Sequence, residues 1–111
     1  MDDLLYVSRA IVVFAPAPED PYFIRQMEML AEDNGDLAAR DVVLIVDTDP
    51  AAKSAVRTML RPSAFSLVII DKDGKTALRK PRPWDLREIT RAIDKFPSRR
   101  DEMLGILPSG R

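Results

Sequence analysis

The fold is decided by the stretch IVVFAPAPEDPYF, which runs from Ile11 to Phe23. The run from Arg9 to Ala15 is mostly β-branched and aromatic, which is typical of a central strand covered on both faces. Prolines and two acids then interrupt it. Asp20 can cap free helical N–H groups, and Pro21 suits the first helical position because no N–H partner is needed there. The stretch therefore predicts a buried strand, a turn and a helix.

The remaining chain repeats this alternation of strand and helix signals. Further strands are predicted at Asp41–Asp47, Phe65–Ile70 and Thr76–Lys80. The first of these has the apolar composition of a second buried strand, and the last returns antiparallel after the Asp73-Gly74 turn. Asp49 and Asp85 are the predicted N-caps of a second and a third helix.

Apolar spacing predicts which sides of the helices face the core. On the first helix the predicted core positions are Phe23, Met27, Leu30 and Ala31. The predicted solvent positions are Gln26, Glu28, Glu32 and Asp33. On the last helix Asp85 and Glu88 form a predicted capping box. Its predicted apolar stripe is Leu86, Ile89, Ile93 and Phe96.

The resulting order β-α-β-α-β-β-α defines an α/β fold. It closes most simply as a thioredoxin-like, four-stranded mixed sheet with helices on both faces. A chain of 111 residues is within the range of one hydrophobic core, so residues 1–111 are predicted to form a single domain. Residues 104–111 are predicted to be a frayed tail, after a turn of helix.

Composition limits the chemistry that the chain can perform. It contains neither cysteine nor histidine, which excludes thiol redox chemistry, thiolate metal sites and the usual general base near neutral pH. Any catalysis would depend on carboxylates, Lys, Tyr, Ser or Thr, and no cofactor is predicted. No apolar run approaches the roughly 18 residues of a membrane span.

Charge is unevenly distributed along the sequence. Residues 1–47 contain ten acids and three bases, whereas residues 48–111 contain eight acids and fourteen bases. The basic half could bind anions. The favoured interpretation is that the two halves mix on folding and that their fields largely cancel.

The chain resembles the DUF4174 family, a domain of unknown function. The resemblance rests on VVFAPAPEDPYFIRQ at Val12–Gln26, RDVVLIVD at Arg40–Asp47, FSLVIIDKDGKTALR at Phe65–Arg79 and IDKFPSRRDEM at Ile93–Met103. The last motif is the most specific of the four. The resemblance implies a bacterial protein with a thioredoxin-like, peroxiredoxin-related fold and gives no established biochemical role.

Under this resemblance the turn before the first helix takes the place of a redox site. Residues Glu19 to Tyr22, EDPY, fall where a thioredoxin has Cys-Gly-Pro-Cys, so the proline is kept and both sulfurs are absent. Capping explains Glu19 and Asp20 structurally, because a helix N-terminus favours negative charge. The functional hypothesis is a non-catalytic binding or structural module that uses Glu19, Asp20 and Tyr22, the loop before Phe65, or both.

Two other hypotheses stay open. The first is a cysteine-free enzyme that uses Asp47 and Asp49 with a divalent metal, as an Asp-x-Asp at a strand end would allow. The second is anion or polyanion binding by a basic set around the last helix. That set comprises Arg79, Lys80, Arg82, Arg87, Arg91 and Lys95. Arg99 and Arg100 are candidate binding residues that could instead pair with a carboxylate and fix the tail.

The sequence favours an unidentified protein partner. Nucleic acid is not favoured, because acids are interleaved with the bases and no row of aromatic residues is available to stack on bases. The oligomeric state is left open. A periplasmic location is expected if an export leader precedes residue 1, and a cytoplasmic one otherwise.

Overall fold

A computed structural model of the protein describes residues 8–105. The strands are β1 (Arg9–Phe14), β2 (Val42–Asp47), β3 (Ser66–Ile70) and β4 (Thr76–Lys80). The α-helices are α1 (Pro21–Leu30), α2 (Ala55–Leu60), α3 (Leu86–Asp94) and α4 (Pro97–Met103). The predicted order of elements is confirmed, with α4 following it. Most of the tail predicted to fray, residues 106–111, lies outside the described residues.

The four strands form one mixed sheet in the order β2-β1-β3-β4. The central strand β1 is parallel to β2 and antiparallel to β3, which pairs antiparallel with β4. The predicted four-stranded mixed sheet is therefore confirmed. Because β1 and β3 are the inner strands, they are buried along their whole length.

Helices cover both faces of this sheet, as predicted. On one face Ile11 and Val13 of β1 pack in a cluster with residues of α1 and α3. On the other face Val12 and Phe14 pack in a cluster with Val56 and Leu60 of α2. Successive residues of a strand point to opposite faces, so β1 contributes to both hydrophobic layers.

The prediction that the second strand is buried was wrong. Among the strands of residues 8–105, β2 lies at the edge of the sheet, with β1 as its one neighbour. Leu44 and Val46 are 44% and 43% exposed. The apolar composition of β2 is that of an inner strand, but the described elements leave the side chains of Leu44 and Val46 partly exposed.

The predicted N-cap of the second helix was also wrong. Asp49 makes no side-chain cap hydrogen bond and starts only a 3₁₀ turn, Pro50–Ala52. Ser54 caps α2 instead, since its side chain accepts the N–H of Arg57. The Asp-Pro pair produced a single short turn, and a left-handed residue, Lys53, separates it from the helix.

The other two helix starts confirm the sequence analysis. Asp20 caps α1 by accepting the N–H of Phe23, and Pro21 is the first helical residue. Asp85 and Glu88 form both hydrogen bonds of the predicted capping box. Local side-chain chemistry therefore fixes where these helices begin.

One polar residue on α1 contradicts the predicted helix faces. Gln26 was assigned to solvent, yet it is fully buried. Its side-chain amide donates to the carbonyl of Trp84 at 2.8 Å and accepts the N–H of Trp84 at 2.9 Å. These two bonds join α1 to the segment that leads into α3. Ala31, assigned to the core, is exposed at the C-cap.

Replacing Gln26 with alanine is predicted to lower the free energy of unfolding by about 2–4 kcal/mol, because two partly buried backbone groups of Trp84 lose their partners. The measurement is urea unfolding monitored by circular dichroism. Glu28→Ala is the control, since Glu28 is exposed on the same helix, and it should change stability by less than about 0.5 kcal/mol. Equal effects of the two substitutions would contradict the bridging role of Gln26.

Candidate functional site

The first turn of α1 carries an exposed aromatic side chain that contacts a ring of the core. Tyr22, in the first turn of α1, is 46% exposed. Its ring meets that of Phe65 edge to face, with centroids 5.7 Å apart and planes at 81°. Phe65 is buried and belongs to the hydrophobic core. The predicted EDPY turn therefore contacts Phe65, the residue that follows the loop predicted as the other part of the binding surface.

The two carboxylates of this turn have different environments. Asp20 is partly buried, and its side chain accepts the N–H of Phe23 at 3.1 Å, so it is committed to capping α1. Glu19 is exposed, and no hydrogen bond or ion pair to its side chain is found within residues 8–105. We call Glu19, Asp20, Tyr22 and Phe65 together the turn surface.

Asp47, the first carboxylate of the metal-enzyme hypothesis, is already occupied. It lies at the end of β2 and is mostly buried. Its Oδ1 accepts from Arg57 Nε at 3.2 Å, from Arg57 Nη2 at 3.1 Å and from the N–H of Asp49 at 3.1 Å. Its Oδ2 accepts the hydroxyl of Ser54. Few lone pairs remain for a cation.

Arg57 is equally committed to this end of the sheet. Its Nη2 donates to the backbone carbonyls of Ala15 and Asp47, each at 3.1 Å, and its guanidinium lies 5.3 Å from the ring centroid of Phe14. Burial alone raises the pKa of Asp47, but the hydrogen bonds from Ser54 and Arg57 outweigh it, and the pKa is lowered overall. This arrangement joins β1, β2 and α2.

The described part of the chain contains no group of three or more acidic side chains that could hold a metal ion. Asp49, the second carboxylate of that hypothesis, is exposed and contributes its backbone N–H to Asp47. The structure therefore gives the metal-enzyme hypothesis no support.

At the opposite end of the sheet a fully buried arginine organises a cluster of charges. Arg9, the first residue of β1, has no exposed surface. Its Nε donates to Asp71 at 3.1 Å. Nη1 donates to the carbonyl of Arg40 at 2.7 Å and to Glu102 at 3.3 Å. Nη2 donates to Ser98 at 3.0 Å and to Glu102 at 3.3 Å. All five guanidinium donors thus have partners.

Further ion pairs near this arginine involve residues of α3 and α4. Lys72 donates to Asp41 at 2.9 Å and to Glu102 at 2.7 Å. Arg40 binds both carboxylate oxygens of Asp94, at 2.9 and 3.0 Å. We call the whole set the charge cluster. Its members are Arg9, Arg40, Asp41, Asp71, Lys72, Asp94, Ser98, Arg99 and Glu102.

Two carboxylates of the charge cluster, Glu102 and Asp94, have a lowered pKa. Burial raises the pKa of Glu102. The hydrogen bond from Lys72 and the charges of Arg9 and Lys72 lower it by more than burial raises it, so the pKa is below its ordinary value. The hydrogen bond from Arg40 lowers the pKa of Asp94. The charged groups of the cluster pair with one another. These contacts connect the start of β1, the residues that follow β3, and α4.

Arg99 and Arg100 have different positions on α4. Arg99 pairs with Asp94 and Glu102, each at 3.4 Å. Pairing with a carboxylate was the alternative to a binding role for this residue. Arg100 is exposed, and none of the described acidic side chains pairs with it. A ligand-binding role for these two arginines stays a prediction.

The basic set around α3 is also divided. Arg79 donates to the carbonyl of Leu60 at 2.6 Å, and Lys80 lies 4.9 Å from the ring centroid of Trp84. Four cations remain exposed, and within the described residues they have no hydrogen bond or ion pair: Arg82, Arg87, Arg91 and Lys95.

A shallow cleft of about 360 Å³ lies between the β3–β4 hairpin and the junction of α3 with α4. Its walls include Asp71, Asp73, Lys75 and Phe96. Asp71 is bound by Arg9 and Ser98, and Asp73 accepts the N–H of Lys75 within the hairpin. Both carboxylates are therefore engaged with the protein itself.

Sequence reasoning missed the charge cluster. Arg9 was assigned to an apolar strand and Asp71 to a hairpin turn, with no ion pair predicted for either residue. An arginine at the start of a strand buried on both faces was the available signal, since such a charge requires buried partners. The partners could not be identified, because Ser98 and Glu102 lie 89 and 93 residues away in sequence.

The comparison with known families agrees with the motifs. The model of the domain of unknown function DUF4174 matches residues 1–102, and the chain belongs to this family. Among curated proteins none matches the chain. Within residues 8–105 no helix is long and apolar enough to cross a membrane.

Glu102→Gln is predicted to lower the free energy of unfolding by about 3 kcal/mol at pH 7, because Arg9 and Lys72 lose their shared carboxylate. The Glu102 pKa is lowered in the folded state. The contribution of the Glu102 carboxylate to the free energy of unfolding is therefore fully present above its unfolded pKa of about 4.3. This contribution is lost as the pH falls through the lower pKa of the folded state. The measurement is the stability difference between wild type and variant from pH 7 to pH 2.

The matched control for this pH series is Asp101→Asn, at the neighbouring position of α4. Asp101 is partly buried and belongs to no ion pair of the described residues. It should change stability by less than about 0.5 kcal/mol. A difference for Glu102→Gln that stays constant down to pH 2 would contradict a role of the ionised carboxylate.

Proposed function

We propose that this protein is a non-catalytic binding module that recognises a protein partner through the turn surface. The supporting observation is that the side chain of Tyr22 is 46% exposed and that its ring contacts the buried ring of Phe65 edge to face. The thioredoxin-like assignment belongs to the same proposal, since it places this turn where related folds carry a redox site.

A restrained, exposed tyrosine is well suited to recognition. Ordering a mobile side chain on binding costs about 0.5–1.5 kcal/mol, and most of this cost is avoided when the ring is already held. Tyrosine is also enriched among the residues that dominate interface energies. Phe65 supports the ring from the core side, so a partner would meet a rigid aromatic edge.

The neighbouring groups indicate what such a partner offers. Glu19 presents an exposed carboxylate beside Tyr22, whereas Asp20 is committed to the helix cap. A partner would therefore supply an apolar contact for the ring, together with a cation or backbone N–H groups for Glu19. Asp20 would act by positioning the first turn of α1.

A non-catalytic role follows from the chemistry that is present. The chain has no cysteine or histidine. The carboxylate best placed for acid–base work, Asp47, is held by Arg57 and Ser54. A lowered pKa makes the Asp47 carboxylate a weaker general base near neutral pH, so binding is the simpler use of this end of the sheet.

The test compares Glu19→Ala/Tyr22→Ala with wild type in affinity capture from lysate of the source organism, followed by direct binding to the purified captured protein. We expect the double variant to weaken the direct binding at least about tenfold, as loss of an aromatic anchor does. Both proteins are first matched in thermal stability.

The matched control is Asp49→Ala/Met59→Ala. It also removes one exposed acid and one exposed apolar side chain, but on the α2 side of the sheet. Its binding should equal that of wild type. The proposal is overturned if both double variants bind the partner as wild type does, or if both lose it equally.

A further inference from the structure

The exposed side of α3 carries an unpaired row of cations. Arg87, Arg91 and Lys95 are spaced four residues apart and are all exposed. The apolar stripe of the same helix, Ile89 and Ile93, is buried against the sheet. At a rise of about 1.5 Å per residue, neighbouring cations of the row are about 6 Å apart along the helix axis. We call these three residues the basic ridge.

The acids that alternate with these bases in the sequence do not neutralise the ridge in the structure. Asp94 is bound by Arg40 at 2.9 Å and by Arg99 at 3.4 Å. Glu102 is bound by Arg9, Lys72 and Arg99. The charge cluster therefore holds Asp94, the acid three residues after Arg91 that could otherwise pair with this cation of the ridge.

The remaining acids of this helix lie at its other end. Asp85 and Glu88 form the capping box in the first turn and bind each other's backbone N–H groups. No ion pair between either of them and a ridge cation occurs within residues 8–105. The C-terminal half of the ridge, Arg91 and Lys95, is exposed and forms no ion pair with the described acidic side chains.

We propose that the basic ridge binds an acidic polypeptide segment. This surface is separate from the turn surface, and the proposal goes beyond the function proposed above. Alternate side chains of an extended chain lie about 6.6–6.8 Å apart on one side. This spacing is close to that of the ridge, so a segment with an acid at every second position can pair with successive cations.

The surroundings of the ridge favour a polypeptide over nucleic acid. The whole chain carries a formal charge of −1 at pH 7. The nearby carboxylates of Asp85 and Glu88 would oppose a phosphate backbone that continues past the end of the ridge. The exposed face of α3 also has no aromatic side chain to stack on bases. A short acidic segment avoids both difficulties.

The experiment uses the full chain and a labelled synthetic peptide of alternating Glu and Ala, with binding measured by fluorescence anisotropy. We expect binding at low salt that weakens strongly at roughly 150 mM salt, because exposed charges are screened there. The variant Arg87→Gln/Arg91→Gln/Lys95→Gln should bind about tenfold more weakly or worse.

The matched control, Lys53→Gln/Arg61→Gln/Lys75→Gln, removes the same number of exposed cations elsewhere on the protein. It should bind the peptide like wild type if the ridge is the site. Equal loss in the two triple variants would mean that only net charge matters and would overturn the proposal. So would the absence of binding at low salt, or tighter ridge-dependent binding of a DNA duplex than of the peptide.

Discussion

The guanidinium of Arg9 is the constraint on which the packing of α4 against the sheet depends. It lies on the central strand with no exposed surface, and an unpaired charge in such a place would cost several kcal/mol. Its donors therefore require acceptors from Asp71, Ser98 and Glu102, which belong to the β3–β4 hairpin and to α4. The position of the C-terminal helix follows from this one buried cation.

The charge cluster also affects the surface of α3. Because Asp94 pairs with Arg40 and Arg99, it forms no ion pair with the exposed cations of α3. The opposite end of the sheet is organised separately, by Arg57 and Asp47 and by the contact of Tyr22 with Phe65. A buried ion pair need not stabilise a protein more than apolar residues would, so its main effect here is to specify which segments meet.

The sheet and two of the helix starts could be predicted, because strand composition, the Asp73-Gly74 turn and the caps at Asp20 and Asp85 are signals between residues close in sequence. The position of β2 at the edge of the sheet could not be predicted, because the apolar composition of a strand does not show how many neighbouring strands it has. Gln26 was misassigned for a related reason: its partner, Trp84, lies 58 residues away. Of the site, Glu19, Asp20 and Tyr22 were selected from the sequence, and their binding role stays a prediction. The charge cluster was missed, because its pairs join distant parts of the chain.

The measurement that tests this account most directly is amide hydrogen exchange in Arg9→Lys. Lysine keeps the charge but has three donors in place of five and cannot form the same planar fork. We predict that the amides of α4 exchange much faster in the variant, whereas those of β1 and β3 keep most of their protection. Unchanged exchange in α4, or an equal loss of protection in α4 and the inner strands, would contradict the claim that Arg9 specifically holds the C-terminal helix.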